Sequence, residues 1–273
     1  MACALITAFF NAVHHIRISL IAGTPLPILL KKTEYFLEVV TSHGNTMVKT
    51  HLLLHRDTIL TLMGKGSDNY SAVQDDPMEA YDPRKPTAPL YHYHKSIRAF
   101  WLGHCERGHH FFEKLTVPGL VDDVVNWRMR EHRKFFSLYH GINSFGIIKP
   151  TSDQRLKETP INILEGLKIS AAVSRWNFHN KACLLAAEVY SYKGNHQEAK
   201  VNYAAAITSA RCSNFIHEQG LACERAGFHY KKIDQLAEAY GFFNQAKQCY
   251  AEWGSQLKVD SVTRQLESIQ IKA

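Results

Sequence analysis

The chain has 273 residues, of which 45 % are hydrophobic and 21 % charged, proportions of a packed globular protein that exclude global disorder; its length suits one long domain or two ordinary ones. A formal charge of +7 and a pI of about 9.0 favour acidic partners. The basic residues are scattered, however, and the longest cluster is the interrupted run Arg128–Lys134, so a dedicated nucleic-acid surface is not indicated.

The N-terminal stretch Met1–Phe10 is apolar but has no basic leader and runs into Asn11, His14, His15 and Arg17. It reads as a buried helix rather than a signal peptide, and no apolar run reaches the ~18–20 residues that a membrane-spanning helix needs. Gly23-Thr24-Pro25-Leu26-Pro27 then breaks the pattern, and two helices follow, one ending near His43-Gly44 and one near Gly64. Gly64 to Leu90 is rich in Gly, Pro and Asp (Gly64, Gly66, Asp75, Asp76, Pro77, Asp82, Pro83, Pro86) and reads as an exposed connector. It divides the chain into a helical segment 1–64, a linker 65–90 and a helical-repeat segment 91–273.

Within that last segment, Ser96–Leu115 carries Trp101-Leu102-Gly103 followed by Phe111, Phe112 and Leu115, residues suited to a helix hairpin. Val124–Phe145 reads as one long helix with Trp127, Phe135, Phe136, Tyr139 and Phe145 on its buried stripe. Lys149-Pro150 stops it, and Ser152 or Asp153 can cap a helix running through Trp176.

The strongest pattern lies between 177 and 254. Ala187, Tyr190, Ala199, Tyr203 and Ala206 are matched by Gly227, Tyr230, Ala239, Phe243 and Ala246, each pair 40 residues apart. A small residue one turn before a Tyr lets a second helix lie close, and the aromatic four residues after the next Ala fills the space beyond, an alternation that antiparallel hairpins need. Gly194 is suited to a left-handed helix end, Ser213-Asn214 to the junction between units, Asp234 to an N-cap, and Leu257–Ile269 to a closing amphipathic helix.

This small-x-x-Tyr…Ala-x-x-x-Phe-x-x-Ala pattern resembles the tetratricopeptide repeat (TPR), although Cys183 with Ala186, and Cys223 with Ala226, replace the usual Trp and Leu. The repeat period of 40 also exceeds the consensus of about 34. The expected fold is therefore all-α, a TPR-like α-solenoid of antiparallel helix hairpins. Three segments resemble the TPR-like region of large multidomain signalling proteins that join a protein kinase, an AAA-type ATPase, a GAF domain and a histidine kinase. They are Asn177–Glu188 with Gly194–Ala199, Asn214–Glu224 with Phe228 and Tyr230, and Ala246–Gly254 with Lys258-Val259. Gly23-Thr24-Pro25-Leu26 and the helices to residue 64 resemble its upstream part more loosely.

The resemblance implies a non-catalytic scaffold that mediates protein–protein or interdomain contacts in a signalling ATPase or kinase system. No phosphate-binding loop, kinase triplet or sensor-kinase motif is found in the chain. Both a stand-alone scaffold and a fragment of a full-length kinase or ATPase fit that pattern, with a nucleic-acid-binding regulator arm as the third alternative. In the repeat frame, the candidate peptide-groove residues are Lys181, Leu184, Glu188 and Tyr192, then Glu224, Phe228, Lys231 and Lys232. Glu188 and Glu224 speak against a carboxylate clamp. Six cysteines without short spacing suggest a reducing, cytoplasmic setting. Gly64-Lys65-Gly66-Ser67 has the wrong order for a phosphate loop. His92, His94, His104, Cys105, His109 and His110 invite a zinc reading, but Cys105 and His109 at helical spacing find no matching pair. No cofactor, metal or catalytic residue is therefore assigned.

Overall fold

The computed structural model describes residues 2–66, 88–115, 124–148 and 154–270, with side chains from residues 7, 90 and 134 onward in the first three stretches. Most of the connector at 65–90, the Lys149-Pro150 stop, the Ser152 and Asp153 caps, and the side chains of Trp127 and of most of the Arg128–Lys134 run lie outside what is described. Within them the chain is all-α. The helices are α1 (Ala2–Ile21), α2 (Leu26–Ser42), α3 (Thr46–Leu62), α4 (Ala88–Trp101), α5 (Cys105–Lys114) and α6 (Val124–Ile147). Then come α7 (Gln154–Val173), α8 (Arg175–Tyr192), α9 (His196–Cys212), α10 (Ile216–Lys232), α11 (Leu236–Trp253) and α12 (Gln256–Gln270). The helix expected to run through Trp176 instead breaks at Ser174, whose backbone leaves the helical region and which starts α8. Among the described residues no helix is long and apolar enough to cross a membrane.

One connector geometry recurs along the chain. α2–α3, α4–α5, α8–α9, α9–α10 and α10–α11 are each joined by three residues, the middle one left-handed: Gly44, Gly103, Gly194, Asn214 and Asp234. In each, the N–H of the third residue reaches back to the carbonyl five positions earlier (Asn195 to Tyr190 at 2.9 Å, Phe215 to Ala210 at 3.0 Å, Gln235 to Tyr230 at 2.9 Å), satisfying a carbonyl the helix end would orphan. Asp234 is thus the left-handed terminator of α10, with φ 60°, and not the N-cap of α11, a place taken by Gln235. Asp tolerates this conformation better than most side chains because its short polar group interacts locally with the backbone.

The small–aromatic register does the packing expected of it. Ala187, Ala199, Tyr203 and Ala206 are buried, as are Gly227, Ala239, Phe243 and Ala246, while Tyr190 and Tyr230 are half-buried. A Cβ on Gly227 would stand 2.8 Å from the Phe243 ring, so the small residue is what lets α10 and α11 close around the aromatic. A Cβ on Gly220 would likewise stand 2.9 Å from the Tyr250 ring. Tyr230 stacks on Phe242 with ring centroids 5.1 Å apart.

Successive helices pack against one another along the chain, and the C-terminal end returns to the N-terminal one. α12 lies against α3, and Ser255 Oγ donates to the Leu62 carbonyl at 2.7 Å. The left-handed Gly254 sits where a Cβ would meet Pro27 Cδ at 2.6 Å. Trp101, at the end of α4, packs on Tyr139 (5.6 Å), Tyr250 (6.2 Å) and Trp253 (5.3 Å), joining α4, α6 and α11 in one aromatic hub. His217 of α10 leans on the same Trp253 at 5.2 Å.

Candidate functional site

Between the C-terminal helices the buried charges fall into a repeated arrangement. Glu188 of α8 receives the Tyr203 hydroxyl of α9 at 2.7 Å. It also receives a two-pronged contact from Arg225 of α10, Nε to Oε1 at 2.9 Å and Nη2 to Oε2 at 2.5 Å. One unit later Glu224 of α10 receives the Tyr250 hydroxyl of α11 at 2.7 Å and Lys258 Nζ of α12 at 2.8 Å. Carboxylate, phenol and cation thus come from three consecutive helices each time. Burial, then the neighbouring carboxylate, raises the pKa of both phenols well above the usual value. For Arg225 burial opposes the charge, and Glu188 more than offsets it, so its pKa is raised. A third pair links α8 and α10: Lys181 Nζ lies 2.7 Å from Glu218 Oε2, donates to the Asn177 carbonyl at 2.9 Å and sits 4.5 Å from the Phe215 ring centre.

These contacts decide where the eight groove residues sit. Lys181, Leu184, Glu188 and Glu224 are buried inside the protein. The inner face of α8 is covered by α6: Phe135 packs on Phe178 at 4.8 Å, and a Cβ on Gly141 would stand 2.8 Å from Leu185. Phe228 is half-buried with its ring 5.2 Å from Phe243, and Lys231 is half-buried with its Nζ donating to Gln265 Oε1 at 3.0 Å and Ser268 Oγ at 2.8 Å. Tyr192, beside Phe145 at 5.5 Å, and Lys232 are exposed. The eight side chains are therefore not gathered on one open groove. The repeat frame places first helices on an inner face, and in this chain α4 and α6 occupy that face.

An open apolar surface lies elsewhere. α7 buries Pro160, Leu164 and Leu167 and leaves Ile169 70 % and Val173 87 % exposed one turn apart, followed by Trp176 at 58 %. The expectation of one helix through Trp176 does not reveal this face, because the break at Ser174 separates Trp176 from α7.

The N-terminal half buries histidines where its helices meet. His94 Nδ1 of α4 lies 2.8 Å from Thr58 Oγ1, and its ring stands edge-on to His55 of α3 at 4.4 Å. Burial, with help from Arg17, lowers the pKa of His55 to about 3 and of His51 to about 4, and burial pushes His94 well below its usual value. Burial likewise lowers His217 to about 4. Between α5 and α6, His140 Nε2 stands 3.0 Å from His109 Nδ1 and 3.3 Å from Glu113 Oε1. Burial lowers the His109 pKa, and the contact with His140 lowers that of Glu113. Of the residues weighed for zinc, His109 takes part in this cluster, whereas Cys105 turns toward Gly146 and His92 stacks on Phe111 at 6.0 Å. The signal legible in the sequence is Glu113 four residues after His109, on the same face of α5, a carboxylate partner outside the Cys and His pattern.

No protein-family model matches the chain, and no curated protein or solved structure matches it.

Proposed function

We propose that this chain is a non-catalytic, TPR-like α-solenoid scaffold of antiparallel helix hairpins that binds protein, in a cytoplasmic signalling system built on kinase or ATPase modules. The observation that carries protein binding is the exposed run Ile169, Val173 and Trp176 on α7 and the start of α8. Large exposed apolar side chains close together in the chain mark a surface that a partner covers. The TPR-like reading rests on the 40-residue register and on the recurring three-residue connectors. The kinase and ATPase setting rests on the resemblance over residues 177–259. In a longer polypeptide the same face would dock onto modules of its own chain.

The test is affinity capture from the protein's own cell extract with the intact chain and with a Val173→Asp, Trp176→Asp variant of unchanged helix content. Recovery of a polypeptide carrying kinase or ATPase domains by the intact chain alone is the expected result. Equal recovery by both, or none by either, overturns the assignment of this face. DNA affinity that falls steeply with salt would favour the nucleic-acid alternative instead.

A further inference from the structure

α5 and α6 run antiparallel, and their closest approach is set by glycines. A Cβ on Gly146 would stand 2.8 Å from Cys105 Cβ, and a Cβ on Gly108 would collide with the Asn143 amide. One turn further along, where Gly108 has drawn the two backbones together, His109 faces His140. Phe112 lies flat on the His140 ring, with centroids 4.1 Å apart and planes 18° from parallel, which fixes the direction of that imidazole. Glu113, four residues after His109, shares its face of α5.

Two imidazole nitrogens and a carboxylate oxygen therefore turn toward one point, all within 4.8 Å of one another. Donors held ~2.0–2.1 Å from a zinc ion at tetrahedral angles stand ~3.3–3.4 Å apart. The observed separations of 3.0 Å for His109–His140 and 3.3 Å for Glu113–His140 are close to those edges. Lone pairs aimed at one another repel unless a proton or a cation lies between them. Among the described residues this is where three such donors converge.

We propose that His109, Glu113 and His140 form a binding site for a divalent transition-metal ion, zinc in the first instance. Two nitrogen donors and one carboxylate suit borderline cations and leave a coordination position for water. Glu113 is 53 % exposed at its side chain and opens the site to solvent, while His140 at 5 % anchors it to the interior. A bound ion would pin α5 to α6 across the glycine contact. This site is separate from the α7 face, so failure of either assignment leaves the other standing.

The experiment uses the full chain stripped of metal, titrated with Zn²⁺ in a calorimeter and with Co²⁺ by visible absorption. One equivalent bound with a rise in Tm is expected, together with a Co²⁺ spectrum of low coordination number. His109→Ala and Glu113→Gln, each checked for retained helix by circular dichroism, should lose at least about tenfold in affinity, and the Zn²⁺-dependent rise in Tm should vanish. Cys105→Ser should bind as the parent does. Absence of saturable one-equivalent binding, unchanged affinity in both His109→Ala and Glu113→Gln, or an affinity that follows Cys105 would each overturn the proposal.

Discussion

The helices α8–α12 and the helices α3–α6 solve the same problem in different ways. Both must bury polar side chains where helices meet. The C-terminal part uses fixed charges, Glu188 with Arg225 and Glu224 with Lys258, each joined by a tyrosine hydroxyl. The earlier part packs imidazoles in pairs, His55 against His94 and His109 against His140, beside the Arg98–Asp57 ion pair between α3 and α4. Ion pairs of permanent charge are indifferent to pH near neutrality, whereas a buried imidazole is tolerated only while it stays neutral. The two halves should therefore differ in what disturbs them.

The largest effect is expected from Phe243→Ala. Its ring is fully buried between α10 and α11, and its removal should cost ~3–5 kcal/mol through lost burial and the cavity left behind, read from urea unfolding. Glu188→Ala strands Arg225 and Tyr203 together. The expected cost is ~2–3 kcal/mol, below that of a fully enclosed pair, because Arg225 keeps 29 % of its side chain exposed. A loss near zero would mean that the triad only decorates the interface.

Acid should act on the other half. The folded-state pKa values of His55 and His51, about 3 and about 4, lie below the ordinary 6.5. Their neutral-state stability is thus fully present above about pH 6.5 and is lost progressively as the pH falls toward the folded values. Each should contribute a loss of ~2 kcal/mol between pH 7 and pH 5. Thermal unfolding across that range checks the sum, and His55→Gln should flatten part of the slope. A profile level down to pH 5 would break the contrast between the halves. The smallest effect is expected in the connectors: Asp234→Gly should stabilise by up to ~1 kcal/mol, and Gly194→Asp should destabilise by a similar amount, because only the left-handed backbone distinguishes them.

The sequence was most informative where structure is local. Gly194 and Ser213-Asn214 marked true helix ends, and the residues from Ala187 to Ala246 that share a 40-residue offset pack as small–aromatic hairpins. Asp234 misled because the same short carboxylate serves an N-cap and a left-handed terminator, and only the hydrogen bond from Gln235 back to Tyr230 tells them apart. The groove residues misled for a different reason. Whether Lys181 and Glu188 face solvent depends on the partners that adjacent helices bring to them, Glu218 to Lys181 and Tyr203 with Arg225 to Glu188, and these pairs lie outside the small–aromatic register. The polar triads were hidden too: they do not keep the 40-residue offset, since Tyr203 is matched by Phe243 while the second hydroxyl comes from Tyr250. The His109–Glu113–His140 cluster required both helical spacing within α5 and the approach of α6 permitted by Gly108.

The bond from Ser255 to Leu62 spans 193 positions of sequence. In a linear array of hairpins, each unit touches only its neighbours, and terminal units can melt singly. Here the last helix rests on the third, so fraying of α12 requires loss of the α3–α12 seam. Unfolding should therefore proceed as one cooperative event, with coincident transitions for helix content and tryptophan fluorescence. The same seam is formed only after most of the polypeptide has found its place, which makes its closure a late and slow step in folding.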